Sequence, residues 1–161
     1  MPDDYRIVAF DAKTGEIKWQ REDGIFGTWL GYSEQSDLLL QAGAAASDRL
    51  SVEVDRGMTV YNGKDGTVKW SQPDLKYSGP CVLHNDLIIT NANSYSQSAG
   101  AFHLSSGEPH FVINPLTGVM EHWKLSRAYG CNTILASENL LTFRSGAAGF
   151  YDLNSHSGTG N

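Results

Sequence analysis

One phrase returns three times along this chain at a spacing of about fifty residues, and that recurrence restricts the fold more than any local pattern does. The fullest copy is Ala9-Phe10-Asp11-Ala12-Lys13-Thr14-Gly15-Glu16-Ile17-Lys18-Trp19. A second runs Val60-Tyr61-Asn62-Gly63-Lys64-Asp65-Gly66-Thr67-Val68-Lys69-Trp70, and a looser third runs from Ile113 through Thr117-Gly118 to Trp123. Gly15, Gly66 and Gly118 stand 51 and 52 residues apart. A fixed period of this size signals a solenoid, a propeller or an array, in which one supersecondary unit is stacked repeatedly.

Each copy reads as a β-hairpin. Apolar residues flank a turn that opens with Asp or Asn, whose side chain can accept hydrogen bonds from the turn backbone, and closes with Gly, which takes a positive φ without steric cost. Two further landmark series keep the period. Asp37, Asp86 and Asn139 each lead a short apolar run, 49 and 53 residues apart, and Gly27, Gly79 and Gly130 each precede another candidate strand, 52 and 51 apart. Every period therefore holds four short strands, which is the blade of a β-propeller. Continuous apolar runs such as Leu38-Leu39-Leu40 fit strands covered on both faces. No window carries helical periodicity. The predicted fold class is all-β, a partial propeller of about three four-stranded antiparallel blades, divided into a half blade at 1–24, blades at 25–74 and 75–126, and a partial blade at 127–161. Inserts rich in Ser, Ala and Gly at 44–56 and 93–109 fall between the second and third strands of their blades, and the second is expected to hold an extra hairpin around Ala101–Gly107.

Residues Ala9, Asp11, Thr14, Gly15 and Trp19 match the pattern Ala-x-Asp-x-x-Thr-Gly-x-x-x-Trp. This resembles the repeat of pyrroloquinoline quinone (PQQ) enzymes and of their non-catalytic relatives among outer-membrane-assembly lipoproteins. The second copy keeps Gly66 and Trp70. The third keeps Thr117, Gly118 and a tryptophan, Trp123, displaced by one residue. The resemblance implies that Trp19, Trp70 and Trp123 dock neighbouring blades, a task suited to a broad ring that buries much area and stacks well. The stretches Arg127–Asn132 and Leu141–Leu153 are similar to a segment of large bacterial PQQ-repeat propellers. In those the chain runs on, which implies a fragment of a larger propeller with the usual partner of Cys131 beyond it. Three periods also fall short of the roughly four to eight blades of closed propellers, so the open edges are expected to meet the remaining blades of a parent propeller or another copy of the chain.

Chemistry is sparse in the sequence. A net charge of -6 with scattered basic residues offers no nucleic-acid stripe. No segment approaches the ~20 apolar residues of a membrane span, and the start Met1–Arg6, without a basic stretch and apolar run, is not expected to be a signal peptide; the resemblance implies a periplasmic or extracellular setting. The two cysteines, Cys81 and Cys131, lack metal-ligand spacing, and their pairing stays open. The five histidines show no zinc-type spacing, and Ser145 lacks a nucleophile elbow. Asp48, Glu53 and Asp55 share a loop, but calcium needs six to eight converging oxygens. No catalytic or metal residue is predicted, and a cofactor site is not identified; the resemblance alone would allow PQQ with calcium. Arg144, within an apolar run, needs a partner such as Asp152 or a channel-facing anion. The resulting expectation is a non-catalytic binding or scaffold module for a protein or carbohydrate partner. Its rivals are a piece of a PQQ-dependent dehydrogenase and a small protein that closes its ring by self-association.

Overall fold

The computed structural model of the chain describes residues 5–26, 29–43, 54, 56–77, 81–90, 99–125 and 134–159. The glycines at 27, 79 and 130, Cys131, most of the 44–56 insert and residues 93–98 lie outside them. The described residues are all-β, with sixteen strands and no helix. Strands β1 (Ile7–Phe10) and β2 (Ile17–Arg21) form a hairpin. Then β3 (Trp29–Ser33), β4 (Leu38–Ala42), β5 (Met58–Asn62) and β6 (Val68–Gln72) make a four-stranded antiparallel sheet in chain order. The second sheet contains β7 (Cys81–His84), β8 (Leu87–Thr90) and β9 (Ala99–His103). A separate hairpin follows, β10 (Phe111–Ile113) with β11 (Met120–His122), before β12 (Lys124–Leu125) returns to complete the second sheet beside β9. The third sheet is β13 (Leu135–Ala136), β14 (Leu140–Arg144), β15 (Ala148–Asp152) and β16 (Ser157–Thr159). This is a partial β-propeller: three blades and an outer hairpin.

Among the described residues of 127–161, four strands pair into one sheet. One expectation needs correction. The described part of the 93–109 insert forms no extra hairpin; it supplies β9, the third strand of the blade, and the turn that follows it. The third copy of the repeated phrase is the true extra hairpin. The register shows why. In the outer hairpin Ala9 faces Trp19, and in the first sheet Val60 faces Trp70, each beside a one-residue bulge. In the second sheet Phe102 bridges Pro109, His110 N–H donates to Ala101, and pairing resumes with Lys124 opposite Gly100. Residues 111–122 therefore interrupt the fourth strand. With them removed, Trp123 falls four residues after Gly107, as Trp19 follows Gly15 and Trp70 follows Gly66. The one-residue displacement of Trp123 from Gly118 arises because it belongs to Gly107.

The turns share one geometry. Asp11 Oδ1 accepts Lys13 N–H and Thr14 N–H at 2.8 and 3.0 Å, and Gly15 N–H closes on the Asp11 carbonyl at 2.8 Å. Gly66 closes on Asn62, Gly107 on His103 and Gly118 on Asn114 in the same way. Indoles join the blades. Trp19 Nε1–H donates to the Gly63 carbonyl at 2.7 Å and Trp70 Nε1–H to the Leu104 carbonyl at 2.8 Å. Gly66 and Gly107 lie directly beneath these rings: a Cβ on either would sit 2.6 or 2.9 Å from the indole carbons. Behind the rings lie two cores. One, between the first and second sheets, is built on Leu40, Met58, Val60, Ile88 and Leu104; the other, between the second and third, on Ile89, Trp123, Leu125, Ile134 and Leu141. Both faces of β5 are covered, whereas β14 alternates buried and exposed residues, so one face of the third sheet is open.

Buried Gln41 fixes the linker into the first blade. Its amide donates to the Gly24 carbonyl and to Tyr61 Oη and accepts Phe26 N–H, so its side chain is fully used despite having no exposure. Arg21 adds a cation over the Tyr61 ring at 5.5 Å.

The four turn glycines all have φ between +69° and +77°, but two carry an indole and two do not. Gly15→Ala and Gly118→Ala should cost about 1–2 kcal/mol, the strain of a left-handed L-residue. Gly66→Ala and Gly107→Ala should cost about 1–3 kcal/mol more from forced displacement of the ring. Denaturant unfolding of the four variants checks this, and equal losses would contradict docking on these turns.

Acid should weaken the turns. Asp11 is held below its ordinary 3.8 by the Thr14 and then the Lys13 N–H, Asp65 by Thr67, and Asp152 by Asn154 and Ser155. A carboxyl lowered by folding stabilises the fold above its unfolded pKa and loses that effect as pH falls through the folded value. Stability is therefore expected to drop below about pH 4. A D11N/D65N/D152N variant should show a shallower decline in an acid titration followed by circular dichroism.

Candidate functional site

The twelve residues 111–122 interrupt the second blade and form a hairpin of their own, β10 with β11. The hairpin leaves the sheet after His110 and returns at Trp123, whose N–H donates to the His110 carbonyl at 2.9 Å. Trp123 is 3% exposed and meets Tyr151 of the third sheet edge-on, with centroids 5.7 Å apart. Phe111 lies over His122 at 4.2 Å, and Asn114 Nδ2 donates to Glu121 at 3.0 Å, so the hairpin is braced at both ends. Its turn follows from Asn114, whose Oδ1 accepts the Leu116 and Thr117 N–H groups.

Between this hairpin and the outer strands of the third sheet runs a cleft of about 350 Å³. Val112, Ile113 and Leu116 line it from the hairpin, and Phe150, Tyr151 and the β16 residues Ser157, Gly158 and Thr159 from the third sheet, with Lys124, Glu121, His122 and His156 supplying polar groups. The size falls within the range of ligand clefts, and a few polar groups among apolar ones are the usual lining. Ile113, Leu116, Val119 and Met120 are all more than 60% exposed. Such a concentration on one short hairpin costs solubility unless it is used.

Beneath the hairpin root is a chain of titratable groups. Asp86, on the turn between β7 and β8, accepts Ser105 N–H and Oγ–H at 2.9 and 2.8 Å and contacts His103 Nδ1 at 3.1 Å. His103 Nε2 lies 3.3 Å from His110 Nδ1, the rings standing edge to face at 80°. Burial first, then the charges of His103 and His156, hold His110 below the ordinary imidazole value. Ser105 donates to the carboxylate and makes no nucleophile–base pair with the imidazole, so it braces Asp86. In the sequence these histidines show no zinc-type spacing. Aligning the repeat on Gly107 would have found His103, because it occupies the position of Asp11 and Asn62.

Of the residues singled out beforehand, Ala9, Asp11, Thr14, Gly15 and Trp19 lie together on the outer hairpin and its turn, and Gly66 and Trp70 on the first sheet. Thr117 and Gly118 sit in the extra hairpin, away from any indole. Arg144 ends β14 on the open face of the third sheet, in line with Leu140 and Thr142. Leu140 faces Asp152 and Arg144 faces Ala148. Four residues of strand, roughly 13 Å, thus separate Arg144 from Asp152, which removes that pairing; and since Arg144 is exposed, it bears no burial penalty. Cys81 is a free thiol in the inter-blade core, and burial pushes its pKa far up, leaving it unreactive. Cys131, Asp48, Glu53 and Asp55 lie outside the described residues.

Asp11, Asp65 and Asp152 are spent on turn amides, and among the described residues no three His, Cys, Asp or Glu side chains converge on a metal position. These residues do not fit PQQ with calcium, which needs six to eight converging oxygens around the ion.

No protein-family model matches the chain, and no curated protein matches it. Among solved structures it is similar to the computationally designed Ika8 protein, with a TM-score of 0.55 and 12% identity over 92% of this chain. The chain spans 40% of that protein's length. Weaker likenesses are to BamB from Moraxella catarrhalis (TM-score 0.47, 16% identity, 95% of this chain and 54% of that one) and to a europium-containing methanol dehydrogenase (TM-score 0.41, 12% identity, 64% of this chain and 20% of that one).

Proposed function

We propose that the chain is a non-catalytic PQQ-like propeller module that binds a protein partner through the extra hairpin and its cleft. One observation carries this reading: twelve residues interrupt the fourth strand of the second blade and expose Ile113, Leu116, Val119 and Met120 beside an aromatic-lined groove. The partner class is an extended polypeptide. Strand β16 presents an outer edge with no paired neighbour among the described residues, and an extended segment can add to such an edge while placing alternate side chains in the groove. A periplasmic or extracellular setting, and the docking of further blades on the open face of the third sheet, belong to the same reading and rest on the repeat resemblance.

Deleting residues 111–122 joins His110 to Trp123 and restores the strand register, so the variant should fold with its unfolding midpoint nearly unchanged. Peptides selected from a displayed random library on the intact chain should bind it and lose at least tenfold in affinity for the deletion variant. Equal binding to both would remove the cleft from the reading. Saturable binding of PQQ with calcium, with dye-linked alcohol oxidation, would overturn the non-catalytic assignment.

A further inference from the structure

We propose that His103 and His110 form a two-imidazole site for a borderline divalent cation such as Zn²⁺, Ni²⁺ or Cu²⁺, oriented by Asp86. The inference is independent of the cleft. A tetrahedral ion about 2.05 Å from each of two imidazole nitrogens holds those nitrogens roughly 3.3 Å apart and the ring centroids roughly 5.2 Å apart. His103 Nε2 and His110 Nδ1 are 3.3 Å apart, with centroids at 5.1 Å. The two rings already stand where a shared ion requires them.

The surroundings support ligation at these two atoms. Asp86 lies against His103 Nδ1 at 3.1 Å, and a proton on that nitrogen leaves the Nε2 lone pair directed at the gap. A carboxylate behind a ligating histidine fixes tautomer and ring orientation and strengthens the ligand. Asp86 is itself held by two hydrogen bonds from Ser105. The backbone is equally fixed: His103 N–H donates to the Glu108 carbonyl at 2.8 Å, and His110 N–H to Ala101 at 2.9 Å, on either side of the Gly107 turn. Little ordering cost is left for the ion to meet. No third His, Cys, Asp or Glu converges there among the described residues, so water completes the shell. Imidazole favours zinc, nickel and copper over calcium or magnesium. With two protein ligands in place of four, affinity should be roughly micromolar. The other occupant of the gap is a single proton shared between the nitrogens, and the two occupants exclude each other.

The test is calorimetric titration of the tag-free chain with Zn²⁺ and Ni²⁺, alongside ¹H–¹⁵N spectra of its imidazoles. One ion per chain is expected, lost in H103Q and in H110Q and weakened about tenfold or more in D86N, with H84Q and H122Q unchanged. Imidazole shifts on adding Zn²⁺ to the unmodified chain should fall on His103 and His110, a readout that stands even if a variant folds poorly. The absence of saturable binding, binding that survives both glutamine variants, or zinc-induced shifts confined to other histidines would each overturn the site.

Discussion

The assembly depends on an indole from one blade seated on the turn of the next. A four-stranded sheet has two faces to cover, and neighbouring blades cover them only if their spacing and tilt are set. Trp19 and Trp70 set both at once. The ring fills the space above Gly66 or Gly107, and the indole N–H reaches the carbonyl of Gly63 or Leu104. That hydrogen bond is directional, so it fixes where the ring lies, while the apolar body of the ring contributes area to the core behind it. Trp123 does the same work differently: it is nearly fully buried, and its neighbour is the edge of Tyr151. Glycine in these turns therefore answers two demands, a positive φ and the absence of a Cβ. Gly15 and Gly118, with no atom near the missing Cβ, meet only the first.

This division explains what could be read beforehand. The turn chemistry was visible because Asp, Asn and Gly announce it in any context. The blade count followed, since three landmark series kept one period. The assignment of the third copy went astray because a hairpin turn looks alike wherever it is built. Gly118 falls 52 residues after Gly66, while the glycine that carries the docking role, Gly107, falls 41 after it. The insertion restores the apparent period by coincidence of length, and the displaced tryptophan was the only trace of it. The last blade is the hardest to read in sequence for a related reason: its turn, from Asp152, takes positive φ at His156 in place of a glycine, and its edge strands are only two and three residues long.

Side-chain chemistry was less legible than the fold. Asp86, His103 and His110 are 17 and 7 residues apart, and only pairing of β8 with β9, followed by the tight return to His110, brings them together. No local spacing encodes such a meeting. Arg144 lies in an apolar run, yet alternation along β14 places it with the exposed half of the strand, and register sets Asp152 opposite Leu140 at the other end. Gln41, unremarked in the sequence, proved to be a fully buried polar side chain whose hydrogen bonds hold the linker between the outer hairpin and the first blade.

The position of the extra hairpin follows from the same constraint that builds the blades. A propeller blade tolerates insertion least in its inner strands, which are covered on both faces and paired on both sides. The outermost strand is paired on one side only, and it is the place of irregularity in the two outer pairs that carry Trp19 and Trp70, each with a one-residue bulge beside its tryptophan. At a bulge the ladder is locally broken and the chain turned outward, so twelve residues can leave and return without removing an inner hydrogen bond. The insertion stops one residue short of Trp123. One step later it would have separated the docking ring from the strand that aims it. The surface added by residues 111–122 thereby lies at the rim of the blade, while the indole contacts that hold blade to blade are left intact.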